Sequence, residues 1–220
     1  MTVLTPRGLL FDCDGVLVDS DASVQSAWTR WAEQYGFDPE VVNALVHGRR
    51  SADTVAALLP ADRVPDALAA IDRYEVEDAA QVTALPGAAD LLSSLPAGTW
   101  AVVTSGVRAL AKARLAAAGI PEPAVLITAD DVRHGKPDPE GYLAAAGRLG
   151  LLPADCVVFE DAPSGIRAAR AAAVGSVIGI GPRSREAEVD LTIDDLRQAR
   201  FTAGRLHLAR PAAERFSDSR

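Results

Sequence analysis

Short apolar runs alternate along much of the chain with segments whose apolar residues recur every three or four positions. Continuous apolar runs of this length are typical of buried parallel strands, and five are present: GLLFDCDG (8–15), WAVVTSG (100–106), AVLITADD (124–131), CVVFEDAPSG (156–165) and SVIGI (176–180). Helical segments lie between the later runs, at 107–119, 139–150 and 163–175. The alternation predicts an α/β fold, a doubly wound parallel sheet of the Rossmann-like kind with helices on both faces.

Residues 18–83 break this alternation and form a different kind of segment. Val24, Ala27, Trp28, Trp31 and Tyr35 are spaced by three or four, which makes one side of a helix apolar. Three more helical segments follow, at 38–48, 51–60 and 64–81. We therefore predict an all-helical cap over 18–83, inserted into a core domain made of 1–17 and 84–220. Within that core, 199–209 resembles an edge hairpin and 211–220 a frayed end.

Composition and charge exclude several classes of protein. The 220 residues carry 22 basic and 30 acidic side chains, a net charge of −8, which argues against nucleic-acid binding. No apolar run approaches the roughly 18–20 residues that a membrane span needs. The two cysteines, Cys13 and Cys156, form no zinc or CxxC pattern, which suits a reducing compartment. We expect a soluble, cytoplasmic, monomeric protein that binds neither nucleic acid nor membrane.

Four acidic residues fall at the ends of two predicted strands. Asp12 and Asp14 follow the first strand, and Glu160 and Asp161 end the strand that starts at Cys156. A single Asp at such a place is most often a cap or turn residue. Several ionised carboxylates in one pocket are costly unless a cation or a lysine compensates them, and oxygen ligands of this kind suit Mg²⁺.

Four ordered motifs, DCDGVLVDS, TSG, HGKPDPEGY and FEDAPSGIRAA, resemble those of the haloacid-dehalogenase-like (HAD) hydrolase superfamily. The resemblance extends from Leu9 to about Ile193 and includes a helical cap inserted after the first motif. Within the superfamily, AWTRWAEQYG, HGRR and ALPGA are most similar to the sugar phosphatases active on deoxyglucose 6-phosphate and hexitol phosphates. The resemblance implies a Mg²⁺-dependent phosphomonoesterase that hydrolyses small sugar or polyol phosphates through an aspartyl-phosphate intermediate.

The resemblance also assigns roles to the acidic residues. Asp12 is the expected nucleophile, and Asp14 the acid that protonates the leaving alkoxide and later the base that activates water. Mg²⁺ is expected on the Asp12 and Asp161 carboxylates and the Asp14 backbone carbonyl. Glu160 is expected to reach the metal through a water or a hydrogen bond. The turn at Gly15 must re-aim the second carboxylate, because side chains alternate along an extended segment.

The second and third motifs supply the expected phosphate contacts. Thr104 is assigned the phosphoryl contact, with Ser105 and Gly106 beside it, and the hydroxyl residues are also expected to open the next helix as N-caps. Lys136 is expected to offset the clustered carboxylates and the charge on the transferring phosphoryl group. A lone loop lysine would otherwise be interpreted as a solvated surface group.

The cap contributes a short loop with three candidate substrate-binding residues. His47, Arg49 and Arg50 lie between two cap helices and are either exposed charges or a specificity loop over the sheet domain. The tryptophans of the first cap helix are predicted to form cap core rather than a platform for a sugar ring. Cys13 is predicted to be inert packing, because it lies between two outward-facing aspartates.

The same residues bear on four other possible functions. Haloacid dehalogenases generally lack the second aspartate, so Asp14 favours a phosphate substrate. Beta-phosphoglucomutase is the alternative function; it places a cap histidine ten residues after its acid/base aspartate, where this chain has Val24. A receiver domain fits poorly with the helical insert, and a non-catalytic interaction domain leaves the charged cluster unexplained.

Overall fold

A computed structural model describes residues 1–185 and 187–209, so the expectation for 211–220 lies outside the described residues. The strands are β1 (Thr2–Leu4), β2 (Gly8–Phe11), β3 (Val18–Asp19), β4 (Thr83–Ala84), β5 (Trp100–Val103), β6 (Leu126–Ile127), β7 (Cys156–Glu160), β8 (Ser176–Ile180), β9 (Leu191–Ile193), β10 (Ala199–Thr202) and β11 (Arg205–Leu208). The α-helices are α1 (Asp21–Tyr35), α2 (Pro39–Val46), α3 (Ser51–Leu58), α4 (Val64–Asp78), α5 (Ala88–Ser94), α6 (Arg108–Ala117), α7 (Glu140–Arg148) and α8 (Pro163–Ala171).

Six parallel strands form the central sheet in the order β6-β5-β2-β7-β8-β9. Successive residues of β2 point to opposite faces, so that Leu9 and Phe11 pack in one hydrophobic cluster and Leu10 in the other. Helices α5 and α6 cover the first face, and α7 and α8 cover the second. The predicted α/β fold with helices on both faces is confirmed.

Helices α1 to α4 pack on one another around a hydrophobic cluster of their own. Trp28 and Trp31 lie inside this cluster, and the Trp31 indole N–H donates to the Ala67 carbonyl at 2.9 Å, which satisfies the buried polar atom. Strands β3 and β4 pair antiparallel at the base of the helices, so the chain leaves and re-enters the sheet domain at adjacent points. We propose 18–83 as the bounds of the cap, with 1–17 and 84–220 as the core domain.

The end of the described chain forms the predicted hairpin, but not at the edge of the main sheet. Strands β10 and β11 pair antiparallel, and β11 also pairs with β1, which gives a separate three-stranded sheet. Leu206 and Leu208 are buried in the same cluster as Leu9 and Phe11, so this sheet closes one face of the core. Among the described helices, none combines the length and the apolar character that crossing a membrane requires.

Candidate active site

The carboxyl ends of β2 and its neighbours bring the predicted polar residues together. Asp12 follows β2, Thr104 follows β5, and Glu160 ends β7. Strands β5 and β7 flank β2 on either side, so these residues meet at one edge of the sheet. Three carboxylates, those of Asp12, Glu160 and Asp161, have oxygens within 4.8 Å of one another and are all buried.

Lys136 reaches into this cluster from the loop before α7. Its Nζ donates to Asp12 Oδ1, to Glu160 Oε1 at 2.6 Å and to the Val103 carbonyl at 3.2 Å. Only 6% of the lysine side chain is exposed, so the surface interpretation of a loop lysine does not hold. Although burial favours the neutral amine, the Asp12 and Glu160 carboxylates hold the pKa of Lys136 well above its ordinary value.

Glu160 is fixed by hydrogen bonds at both carboxylate oxygens. Besides Lys136, Oε1 accepts the Tyr142 hydroxyl at 2.9 Å, and Oε2 accepts the backbone N–H groups of Asp161 at 2.9 Å and Ala162 at 3.1 Å. A Cβ atom on Gly165 would lie 1.5 Å from Oε1, so only glycine leaves space for this carboxylate. Glu160 is therefore held in one position, as a residue that orients its neighbours must be.

Asp14 lies at the turn that follows Asp12 and has a separate set of partners. Gly15 has a φ of 79°, and a Cβ there would lie 2.3 Å from Asp161 Oδ2, so the turn needs glycine. Asp14 Oδ1 accepts the Ser20 hydroxyl at 2.7 Å and the Arg114 guanidinium at 2.9 Å. The two aspartates of the first motif thus pair with different basic residues, Asp12 with Lys136 and Asp14 with Arg114.

A second arginine holds the other strand-end aspartate. Arg183, which follows β8, donates to Asp161 Oδ2 through Nε at 2.9 Å and Nη2 at 2.6 Å. Its Nη1 donates to both carboxylate oxygens of Asp21, in the first turn of α1, at 3.1 and 2.9 Å. Arg183 therefore joins the sheet edge to the first cap helix.

The cluster carries more negative charge than its cations compensate. Burial and the nearby Glu160 raise the pKa of Asp161 from 3.8 to about 7, although Arg183 opposes this change. Burial likewise raises the pKa of Asp12 well above its usual range, despite the contact with Lys136. Buried oxygen donors with an excess of negative charge are the set that a hard divalent cation binds. The residues present therefore fit a metal site.

The second motif meets the cluster without forming a helix cap. Thr104 is buried, its Oγ1 donates to Asp14 Oδ2 at 3.4 Å and accepts the Gly106 N–H at 3.1 Å. The prediction that Thr104 and Ser105 open the next helix is wrong, since α6 begins at Arg108 with Val107 as its N-cap. Three further residues are needed to turn the chain from the sheet edge into the helix.

A cavity separates the sheet edge from the cap and has a volume of about 60 Å³. Its walls include the predicted site residues Asp12, Asp14, Ser105, Gly106 and Asp161 from the core, and His47 and Arg49 from the cap. The Ser105 hydroxyl donates to the Gly48 carbonyl at 3.2 Å, and that carbonyl also accepts the Ser164 hydroxyl at 3.0 Å. The HGRR loop is thus anchored on the core beside the candidate site.

Arg50 differs from its two loop neighbours. Its guanidinium pairs with Asp53 at 2.7 Å and donates to the Arg133 carbonyl at 3.0 Å. It lines a smaller neighbouring cavity with Thr104 and Lys136, and it is absent from the walls of the larger one. The structure therefore brings His47 and Arg49, but not Arg50, to the cavity that holds Asp12.

Sequence reasoning missed several residues that contact the site, among them Glu75, Arg114, Tyr142 and Arg183. Two of them, Arg114 and Glu75, could have been found from the sequence, because each is a charged residue on the apolar side of a helix. Arg114 occupies the apolar side of α6 beside Leu110 and Leu115, and Glu75 occupies that of α4 beside Ile71. A charge on a helix side that faces the core is buried at a cost and therefore needs a partner.

Cys13 is fully buried in the main hydrophobic cluster. Burial raises the pKa of its thiol well above the usual value, which disfavours the thiolate. The prediction that Cys13 packs in the core is confirmed, and its lack of reactivity stays a prediction.

Comparison with known proteins agrees with the motifs. The model of the haloacid dehalogenase-like hydrolase family matches residues 6–173. Hexitol phosphatase A of Escherichia coli (strain K12) is 42% identical over 203 residues, which cover 89% of this chain and 94% of that protein. 2-Deoxyglucose-6-phosphate phosphatase 1 of Saccharomyces cerevisiae is 35% identical over 184 residues, covering 74% and 75% respectively.

A solved structure supports the same assignment. The CbbY mutant from Rhodobacter sphaeroides in complex with xylulose-(1,5)bisphosphate is 26% identical, with a TM-score of 0.79 over 90% of this chain and 98% of that one. The family match covers more than half of the chain and includes all four motifs. The chain therefore belongs to the haloacid dehalogenase-like hydrolase family.

Proposed function

We propose that the protein is a Mg²⁺-dependent phosphomonoesterase that hydrolyses small sugar or polyol phosphates through an aspartyl-phosphate. One observation carries this proposal: Asp12 and Asp14 face one cavity, and Asp12 belongs to a buried carboxylate cluster that Lys136 only partly neutralises. The relatives named as hexitol and 2-deoxyglucose-6-phosphate phosphatases support the substrate class.

Asp12 is the nucleophile in this proposal. Lys136 occupies Oδ1 and orients the carboxylate, so Oδ2 is the oxygen that attacks phosphorus in line with the leaving oxygen. The bond from phosphorus to the substrate oxygen breaks as the bond to Asp12 forms. Splitting the hydrolysis into two displacements lowers each barrier.

Asp14 moves the protons. It donates a proton to the leaving alkoxide in the first step, because an alkoxide is a poor leaving group without one. The resulting carboxylate then takes a proton from the water that attacks the phosphoryl group, which regenerates Asp12 and releases inorganic phosphate. Thr104, whose hydroxyl contacts both Asp14 and the Gly106 N–H, is assigned the phosphoryl contact.

Asp12 and Asp161 are the carboxylates that would hold Mg²⁺, with the Asp14 carbonyl as a third ligand. When bound, the ion supplies positive charge to the phosphoryl oxygens and neutralises the carboxylates. Glu160, which is saturated by four hydrogen bonds, positions Lys136 and the Asp161 backbone. Lys136 supplies the fixed positive charge beside the reacting group.

Admission of a hexose or hexitol phosphate requires movement of the cap. A cavity of about 60 Å³ holds a few water molecules and is too small for such a molecule. We propose that the chain opens near 16–18 and 85–87, where β3 and β4 join the cap to the sheet domain. Arg49 and His47 then contact the substrate when the cap closes, whereas Arg50 requires release from Asp53.

A phosphosugar mutase is the alternative function, and one residue argues against it. Val24 lines the cavity at the position where the mutase resemblance expects a histidine. Valine can neither donate nor accept a proton, so nothing at this position controls Asp14 in the way a histidine could. We therefore favour net hydrolysis.

Release of inorganic phosphate from a panel of sugar and polyol phosphates, with and without EDTA, tests the proposal. The panel includes glucitol 6-phosphate, 2-deoxyglucose 6-phosphate and beta-glucose 1-phosphate, the last with a readout for glucose 6-phosphate. We expect phosphate release that EDTA abolishes and no glucose 6-phosphate. Formation of glucose 6-phosphate without net hydrolysis would identify a mutase.

Asp12→Asn tests the mechanism, with Asp62→Asn as the matched control. Asp62 is exposed and takes part in no ion pair among the described residues, so its variant should keep wild-type activity. Asp12→Asn should lose turnover by several orders of magnitude while it keeps its fold by circular dichroism. Full metal-dependent turnover by Asp12→Asn would contradict the mechanism.

A further inference from the structure

A buried ion-pair bridge crosses the cavity between the cap and the core. Arg114 on α6 donates to Asp14 Oδ1 at 2.9 Å and, through Nη2, to Glu75 Oε1 on α4 at 3.3 Å. The Ser51 hydroxyl, at the start of α3, donates to Glu75 Oε2 at 3.0 Å. The side chains of Arg114 and Glu75 are only 4% and 7% exposed.

These groups line the cavity that holds Asp12 and Asp14. A carboxylate has about four acceptor sites, and Glu75 uses two of them, so its other lone pairs can accept hydroxyl groups. The Glu75 side of the cavity therefore offers hydrogen-bond acceptors to a molecule inside.

The charge of this wall decides which molecules fit. Glu75 carries a negative charge. An uncharged, hydroxyl-rich group can donate hydrogen bonds to it, whereas a carboxylate on the substrate would be repelled by it. Arg114 offsets this only in part, because it is shared with Asp14. Desolvated like charges at short distance are strongly unfavourable.

We propose that Glu75, held by Arg114 and Ser51, is the residue that selects substrates whose non-phosphorylated end is an uncharged polyol. It accepts hydrogen bonds from substrate hydroxyls and rejects analogues that carry a carboxylate at the same place. This inference rests on the proposed function and adds to it a basis for discrimination between phosphate esters.

The test compares three phosphate esters in the wild type and in Glu75→Gln. Glucitol 6-phosphate is the polyol substrate, 6-phosphogluconate is its analogue with a carboxylate, and p-nitrophenyl phosphate lacks hydroxyls. We expect Glu75→Gln to lower kcat/KM for glucitol 6-phosphate about tenfold, chiefly through KM, because hydrogen bonds to a charged group are the stronger ones. It should raise kcat/KM for 6-phosphogluconate about tenfold and leave p-nitrophenyl phosphate within about twofold.

Glu77→Gln is the matched control, since it makes the same chemical change on the same helix. Glu77 is about half exposed and pairs with Arg30 at 3.4 Å and Arg73 at 3.7 Å, away from the cavity walls. Its variant should leave all three substrates unchanged. Ser51→Ala removes one of the hydrogen bonds that hold Glu75 but leaves its charge, so it should raise KM for glucitol 6-phosphate about threefold while 6-phosphogluconate stays a poor substrate. This variant keeps the inference testable if Glu75→Gln does not fold, and an unchanged KM for glucitol 6-phosphate would count against it.

The outcomes separate two kinds of failure. If the wild type hydrolyses none of the three esters, the proposed function itself is wrong. If the wild type hydrolyses glucitol 6-phosphate but Glu75→Gln changes all three substrates by the same factor, Glu75 only holds the cap on the core and the inference is overturned. Opposite changes for the polyol and the acidic analogue support it, because a merely structural role would not produce them.

Discussion

Replacement of Lys136 by methionine removes the one ammonium group that contacts the carboxylate cluster among the described residues. The Nζ to Glu160 Oε1 distance of 2.6 Å corresponds to about 6 kcal/mol of Coulomb attraction at an effective dielectric constant of about 20. The variant also no longer has to bury an ammonium group, which recovers part of this energy. Removal of one member of a buried ion pair typically costs about 3–5 kcal/mol, and we expect that range here.

Thermal and urea unfolding in EDTA measure this loss. For a chain of this length we expect the Tm of Lys136→Met to fall by roughly 10 °C. Lys112→Met is the matched control: Lys112 pairs with Glu122 at 2.9 Å, but both side chains are about half exposed. Such exposed pairs contribute at most about 1 kcal/mol, so the control should change little.

Added Mg²⁺ should restore more stability to Lys136→Met than to the wild type, because the variant leaves the carboxylates with less compensation. If Lys136→Met unfolds in EDTA at the wild-type temperature, the three carboxylates do not depend on Lys136 for their charge balance. The interpretation of this cluster would then be wrong.

Three further predictions concern other parts of the site. Gly165→Ala should destabilise the protein by about 1–3 kcal/mol or more in urea unfolding, because the new Cβ would collide with Glu160. Gly147 on α7 has open space beside it, so Gly147→Ala should not destabilise the protein. Equal effects of the two substitutions would contradict this packing. Burial raises the pKa of Glu75 in the folded protein above the ordinary value of 4.5, although Arg114 opposes this change. The folded state therefore holds the Glu75 proton more tightly than the unfolded state does. The resulting stabilisation is present below pH 4.5 and is lost as the pH rises through the folded-state pKa. The Tm of Glu75→Gln relative to the wild type should therefore increase between pH 4.5 and neutrality, and a constant difference would refute the shift. Arg49→Ala should raise KM for sugar phosphates more than for p-nitrophenyl phosphate, and equal effects would remove its role in specificity.

The sheet and the strand-end residues could be predicted because local patterns determine them. The apolar runs of β2, β5 and β7 are buried on both faces, and the register of parallel strands brings their carboxyl ends to one edge. Asp12, Asp161 and Thr104 follow directly from that rule. The alternation of apolar and polar residues likewise predicts the hairpin over 199–209. Its pairing with β1 is a long-range contact that periodicity does not encode.

Arg114 and Arg183 could not be assigned from spacing because tertiary packing supplies their partners. Arg114 is 100 residues from Asp14 in sequence, and Arg183 is 162 residues from Asp21. The start of α6 also differs from the prediction. The turn from Thr104 through Gly106 delays the first helical residue to Arg108. In both cases the missing information concerns geometry between elements rather than the type of residue.

The single guanidinium group of Arg183 contacts both the sheet edge and the cap. Its guanidinium occupies Asp161 Oδ2 and also holds Asp21 at the start of the first cap helix, so a cation bound at that oxygen would compete with Arg183. Coupling between two sites is reciprocal. A cation that displaced Arg183 from Asp161 would weaken the ion pair with Asp21. The free energy of that weakening equals the free energy by which the ion pair with Asp21 opposes cation binding. In the proposed mechanism, metal affinity and cap opening would therefore be thermodynamically linked, and a metal-binding isotherm would also depend on the position of the cap.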